Sequence, residues 1–173
     1  MAEQFTIAAG TDKLSRSHLK HFIDAKFGSG ESPEWYKVGR DNSELSMELN
    51  PTTETVKNVL DESEVIDNGY EPSMSVDPYY ARKGDGIYAK IKDIAFNRLT
   101  GDDCKTTMLE VIIDKTEAPF DAWMEDCMIK PQSYGGEQGG VTIPFTVTPC
   151  GNRVKGTVTI TNKKPVFTAD AEG

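Results

Sequence analysis

Residues 44–49 read Glu-Leu-Ser-Met-Glu-Leu, with Leu45, Met47 and Leu49 at one parity and Glu44, Ser46 and Glu48 at the other. That period of two is the signature of an extended strand with one dry face. It returns at Val141, Ile143, Phe145 and Val147, and β-branched and apolar residues crowd 106–113 and 157–161. Between these runs stand turn formers: Asn50-Pro51, Ala118-Pro119-Phe120, the glycines at 135, 136, 139 and 140, and Gly151-Asn152. Many short strands with such punctuation give a mainly β fold, a β-sandwich or barrel-like sheet pair of about seven to nine strands. The period changes once. Ile87, Ile91, Ile94, Ala95 and Leu99 follow helical spacing, with Asp85 as a candidate cap and Gly101 just beyond the end. One α-helix at about residues 86–99 is expected, its apolar stripe laid against the sheet.

The alternating run at 44–49 stops at Asn50-Pro51, because proline has no amide hydrogen for a strand ladder. A polar excursion over residues 52–69 follows, and an extended pattern resumes at Tyr70, Pro72, Met74 and Val76. Two strands joined by a long acidic loop are expected here, and long loops without their own structure are usually functional or disordered. Residues 14–27 are ambiguous: Leu14, Leu19, Phe22 and Ile23 fit a helical face, while Leu19, His21, Ile23 and Ala25 alternate as a strand. Residues 1–17 read as an arm or irregular lead-in, and 169–173 as a frayed tail.

With 173 residues the chain is the size of one domain, 1–173, able to bury roughly 70% of its extended-chain surface without a covalent staple. No apolar run approaches the ~20 residues that would cross a bilayer, so no membrane anchor is expected, and the N-terminus lacks the pattern of a secretory leader. The net charge of −9 is uneven. Residues 1–30 carry 4 basic and 3 acidic side chains (+1), residues 31–80 carry 3 and 12 (−9), and residues 81–173 carry 12 and 13 (−1). This is a poor footprint for a protein that grips nucleic acid; it reads as a solvated acidic face or as a surface that must not stick. Cys104, Cys127 and Cys150 are odd in number and widely spaced, which speaks for free thiols.

Chemistry is missing from the sequence. It holds no G-x-S-x-G elbow, P-loop, H-E-x-x-H or G-x-G-x-x-G in a strand–helix context. His18 and His21 would project from opposite faces of a strand and lack a third ligand nearby. Asp102-Asp103 and Glu125-Asp126 are sequence neighbours, which is no evidence of two carboxyls facing each other across a cleft. No catalytic, metal or cofactor-binding residue is therefore named, no cofactor is expected, and the chain is not read as an enzyme.

Lys37-Val38-Gly39, Met47-Glu48-Leu49-Asn50-Pro51, Thr52-Thr53-Glu54-Thr55, Asp61-Glu62-Ser63, Tyr70-Glu71-Pro72-Ser73 and Val76-Asp77-Pro78 follow one another over about forty residues. In order and spacing they resemble the major tail tube proteins of long-tailed, siphophage-type bacteriophages and related prophage particles, a likeness covering roughly residues 19–160. The resemblance implies a β-rich subunit with one long helix and a hairpin between residues 14–27 and the strand at Trp35. It also implies a structural role in the virion: subunits made in the host cytoplasm form rings, hexameric in the family, that stack into a hollow tail tube. DNA passes through as non-specific cargo, and the partners are other copies of the chain and further tail components (tape measure, terminator and distal tail proteins). The residues it marks for contact between subunits or rings are Asn50, Pro51, Thr52, Thr53, Glu54, Thr55, Asp61, Glu62 and Ser63. Two alternatives remain open: an inner tube protein of a contractile injection or secretion system, and a β-sandwich carbohydrate-binding or adhesion module. The last would group aromatic side chains such as Trp35, Tyr36, Tyr79 and Tyr80 on one exposed face.

Overall fold

The computed structural model describes residues 2–7, 13–28 and 32–171. Those of the lead-in, tail and 28–33 loop that fall outside these ranges are not described. The chain is mainly β with one helix. Among the described residues ten strands form: β1 (Leu19–Asp24), β2 (Trp35–Lys37), β3 (Met47–Glu48), β4 (Pro51–Lys57), β5 (Ser63–Tyr70), β6 (Ser73–Val76), β7 (Lys105–Ile112), β8 (Phe120–Pro131), β9 (Phe145–Thr161) and β10 (Lys164–Ala169). Seven of them lie in the order β2-β1-β7-β8-β9-β6-β3, β10 adds to β9, and every pairing is antiparallel. Within residues 14–27, Leu19–Asp24 is a strand, preceded by a 3₁₀ turn at Arg16–His18, and β1 pairs with β2 as the resemblance implies.

The sheet buries apolar side chains on both of its faces, and adjacent residues of β1 and β7 show it directly. Ile23, Met108, Cys127, Phe145 and Val147 belong to one apolar cluster, while their neighbours Phe22 and Leu109 belong to a second with Val111, Ile113, Phe120, Ala122, Val158 and Ile160. Successive side chains on a strand point to opposite faces, so one strand feeds two cores. The first cluster is closed by α1 (Tyr88–Asn97), which lays Ile91 onto it together with the N-cap Ile87, while Tyr88 and Ala95 pack alongside. The second is closed in part by Phe5, edge-on to Phe120 with ring centroids 5.4 Å apart. The backbone of this N-terminal segment is tied down where Glu3 donates its N–H to the Ile160 carbonyl.

The helix ends as elementary capping demands, though not through the residues expected. Arg98 adopts the left-handed conformation at φ 52° that stops the helix, a role often taken by glycine. The Leu99 carbonyl beyond it receives the Lys130 ammonium at 3.1 Å, a cation placed where the helix dipole favours one. Asp85 is not a side-chain cap: its carboxylate accepts from the Tyr36 hydroxyl at 3.2 Å and lies 3.4 Å from Arg40. Burial, and then the charge of Asp85, push the Tyr36 phenol up to about 12.

Three further expectations are corrected. The 52–69 segment is not a structureless loop but an antiparallel hairpin, β4–β5; its threonines and β-branched residues favour extended backbone even though both faces are wet. Gly151-Asn152 does not separate two strands: β9 runs through it for 17 residues. Positive φ at Gly151 (119°) and Asn152 (55°) accompanies a register shift against β8, a bulge that bends the strand from one core to the other. Finally, Leu45, Met47 and Leu49 do not share one buried face. Leu45 is buried, Met47 half-buried and Leu49 54% exposed, because β3 ends at Glu48 and Asn50 turns the chain outward at φ 44°. Leu49→Asp should therefore change the unfolding free energy by less than about 0.5 kcal/mol in urea titration, as surface changes usually do, while Leu45→Asp strands a charge in the core at a cost of several kcal/mol.

Candidate assembly surfaces

The hairpin is the most exposed element in the fold. Every residue of β4 is exposed, as are all of β5 except half-buried Gly69, and the two strands pair only with each other. Its root is built from Asn50, whose side-chain amide donates to the Glu71 carbonyl at 3.0 Å, and from the Glu71 N–H donating to the Leu49 carbonyl at 3.1 Å. Its tip is a turn organised by Asn58. The Asn58 side-chain oxygen accepts the N–H groups of Leu60 (2.9 Å) and Glu62 (3.1 Å), and Asp61 takes the left-handed conformation at φ 64°. Asparagine is suited to this because its short side chain mimics a backbone turn.

All nine residues marked by the resemblance lie on this one projection. Asn50 is at the root, Pro51, Thr52, Thr53, Glu54 and Thr55 are in β4, Asp61 and Glu62 are at the tip, and Ser63 opens β5. The register pairs Thr53 with Asp67, Thr55 with Val65 and Lys57 with Ser63 on one face, and Glu54 with Ile66 and Val56 with Glu64 on the other. The sequence reading missed the apolar component. Val59 and Leu60 at the tip are 101% and 74% exposed and Val65 is 68% exposed, beside the acids. The β-branched pairs Thr55/Val56 and Val65/Ile66, on either side of Asn58–Asp61, were the available signal.

Free edges are short. The main sheet ends in three-residue β2 on one side and two-residue β3 on the other, with six-residue β10 beside β9. Such blunt edges limit unplanned strand addition.

The body carries ion pairs that brace the sheet. Arg153 donates to Glu125 at 2.6 Å and to Glu110 at 2.9 Å, and lies over the Trp123 ring at 5.8 Å. Burial alone would push the Glu110 carboxyl up, but the Arg153 hydrogen bond and the nearby His21 outweigh it and hold it below the usual range. His21, in β1, is buried with Nδ1 3.4 Å from Glu110, whereas His18 lies in a 3₁₀ turn, so the two do not converge. Near α1, Arg82 clasps Asp41 with two bonds of 2.5 and 2.6 Å, which lowers the Asp41 carboxyl. Asp102 and Asp103 sit in the 3₁₀ turn after the helix, and Glu125 belongs to the Arg153 brace.

Cys104 and Cys127 are buried free thiols and Cys150 an exposed one. Among the described residues no three His, Cys, Asp or Glu side chains gather as a metal site, and no helix is long and apolar enough to cross a membrane. Trp35 and Tyr36 are half-buried and Tyr79 fully buried, so the four aromatics do not form one exposed face.

No protein-family model matches the chain, and no curated protein matches it in sequence. Solved structures do. The SPP1 tail tube, determined by solid-state NMR and cryo-EM, superposes with a TM-score of 0.57 at 17% identity, over 83% of this chain and 78% of that one. The sheath/tube terminator of PVC, an extracellular contractile injection system, in its extended state, gives 0.52 at 9% identity, over 85% of this chain and 99% of that one. At such identities the shared property is the backbone architecture: this chain has the fold of tail tube components.

Proposed function

We propose that the chain is the structural subunit of a phage tail tube. Copies close into rings, hexameric as the resemblance implies, and the rings stack into a hollow tube through which DNA passes as non-specific cargo. The subunit is made in the host cytoplasm and ends in the virion, where it meets tape measure, terminator and distal tail proteins. The acidic balance of the chain suits a conduit that does not hold phosphates. Tube and terminator structures as neighbours support the reading.

The observation that carries it is the hairpin β4–β5. A two-stranded hairpin with both faces in water is marginal at best, and this one holds apolar side chains out at its tip. A projection of that kind gains its burial from a neighbour. Replacing residues 53–67 by a short Gly-Ser linker should leave thermal unfolding of the subunit within about 1 kcal/mol of wild type, since loop length changes closure entropy slowly. The same variant should form no stacked tubes under electron microscopy, whereas the wild type should form them at high concentration. Tubes of normal length from the variant would reduce the hairpin to a solvated insertion.

A second reading is a tube component of a contractile injection system, favoured by the terminator fold being matched over 99% of its length. Copurification with sheath subunits, rather than tubes that form bare, would select it.

A further inference from the structure

Phe96 breaks the logic of its helix. At 100° per residue it lies roughly 140–200° around α1 from Ile87, Ile91 and Ile94, on the side facing away from the core. It is 55% exposed, and it stacks on Tyr134, itself 50% exposed, with ring centroids 4.3 Å apart and planes 23° from parallel. The other two aromatic pairs meet edge-on and include the fully buried rings Phe120 and Phe145. Stacking holds the Phe96 and Tyr134 rings in place, yet leaves their outer surfaces in water.

We infer that this aromatic pair, carried on a helix with a net positive charge, is the seat for the β4–β5 hairpin of a neighbouring copy of this chain; the inference rests on the tail tube reading above. Charge chooses the occupant. Residues 88–99 carry Lys90, Lys92 and Arg98 against Asp93 alone, and Asp93 is engaged by the Asn97 side-chain amide. Lys92 is one turn before Phe96 on the same helical side, with its ammonium 5.8 Å over the Tyr88 ring. The hairpin, residues 51–70, carries five acids (Glu54, Asp61, Glu62, Glu64 and Asp67) against Lys57 alone, which is held by Asp61 at 2.9 Å. Its tip supplies Val59 and Leu60, aliphatic groups suited to lie against ring faces. Within one subunit the two surfaces belong to different places: α1 packs on β8, and the hairpin springs from the β3–β6 edge. A tip meeting a seat on another copy is a head-to-tail contact, and such contacts propagate into rings or filaments.

The test uses the full-length chain and its critical concentration for tube formation, read by sedimentation and electron microscopy. The double variant Phe96→Ala/Tyr134→Ala should fold as wild type and raise that concentration at least tenfold. Lys92→Glu/Arg98→Glu should do the same, and adding Glu62→Lys/Glu64→Lys to that chain should bring assembly back. If the 53–67 deletion blocks tubes while the aromatic variant assembles at the wild-type concentration, the hairpin seats elsewhere: this inference falls and the proposed function stands. Failure of the charge exchange to restore assembly likewise overturns it, and directs the aromatic pair to a different partner. A wild-type chain that stays monomeric at every concentration overturns the proposed function and the inference with it.

Discussion

Gly156→Val should lower the unfolding free energy by about 4 kcal/mol, and Gly156→Ala by about 3, more than most core changes that add atoms. Gly156 lies in the second half of β9, between Ala122 of β8 and Ala169 of β10. Its φ is ordinary, so the demand is for space. A Cβ there would meet the Thr168 carbonyl oxygen at 2.3 Å and the Phe167 ring at 2.7 Å. The ring could rotate; the carbonyl belongs to the backbone of the paired strand and cannot move without lifting β10. Lifting it withdraws Phe167 from the second core and opens Val158 and Ile160, both now buried. Urea titration gives the change directly, and an alanine variant within about 0.5 kcal/mol of wild type would show that β10 does not close on the sheet at this point.

Arg153→Leu should cost about 2–3 kcal/mol at pH 7, less than the 3–5 of a fully buried pair because the arginine is 44% exposed. The substitution keeps an aliphatic contact with Trp123 but leaves Glu110 and Glu125, whose side chains are 12% and 11% exposed, without their cation. The pH dependence follows from the lowered Glu110 carboxyl. A carboxyl with a folded pKa below its unfolded value contributes stability that is fully present above the unfolded value, near 4.5, and is lost as pH falls through the folded one. Wild type should thus lose stability from about pH 4 downward. In the variant the burial that pushes the carboxyl up is no longer opposed by Arg153, and protonation relieves it. The gap between the two proteins should shrink steadily from pH 7 to pH 3; a gap independent of pH would mean that Arg153 acts by packing on Trp123 alone.

The parts of the fold legible in the sequence are those whose neighbours in space repeat a period. Ile87, Ile91 and Ile94 mark α1, and Phe145 and Val147 mark the start of β9, because each set buries one side only. Where both sides of an element share one environment the period vanishes. The hairpin is wet on both faces, so Thr53, Glu54, Thr55 and Val56 show no alternation and read as a loop. The bulge at Gly151 and Asn152 reads as a turn, since positive φ serves either and only the partner strand distinguishes them. Leu49 failed for a further reason: the strand ends one residue earlier, and parity says nothing about where a strand stops. Of the proposed assembly surface, the resemblance marked the residues from Asn50 to Ser63, while Val59, Leu60 and Phe96 are conspicuous only once burial is known.

The span of β9 has a consequence for how the chain is made. Phe145 and Val147 complete the first core, and Val158 and Ile160 complete the second. On a translating ribosome, therefore, a nascent chain that has reached only Pro131 displays two open apolar faces and no means of closing either. Folding is deferred until the last quarter of the chain has emerged, and pairings as distant as Phe22 with Leu109 make it slow as well. During that interval its open apolar faces are prone to self-association. An unfinished copy, lacking both cores, has no rigid body from which to present the β4–β5 hairpin or α1.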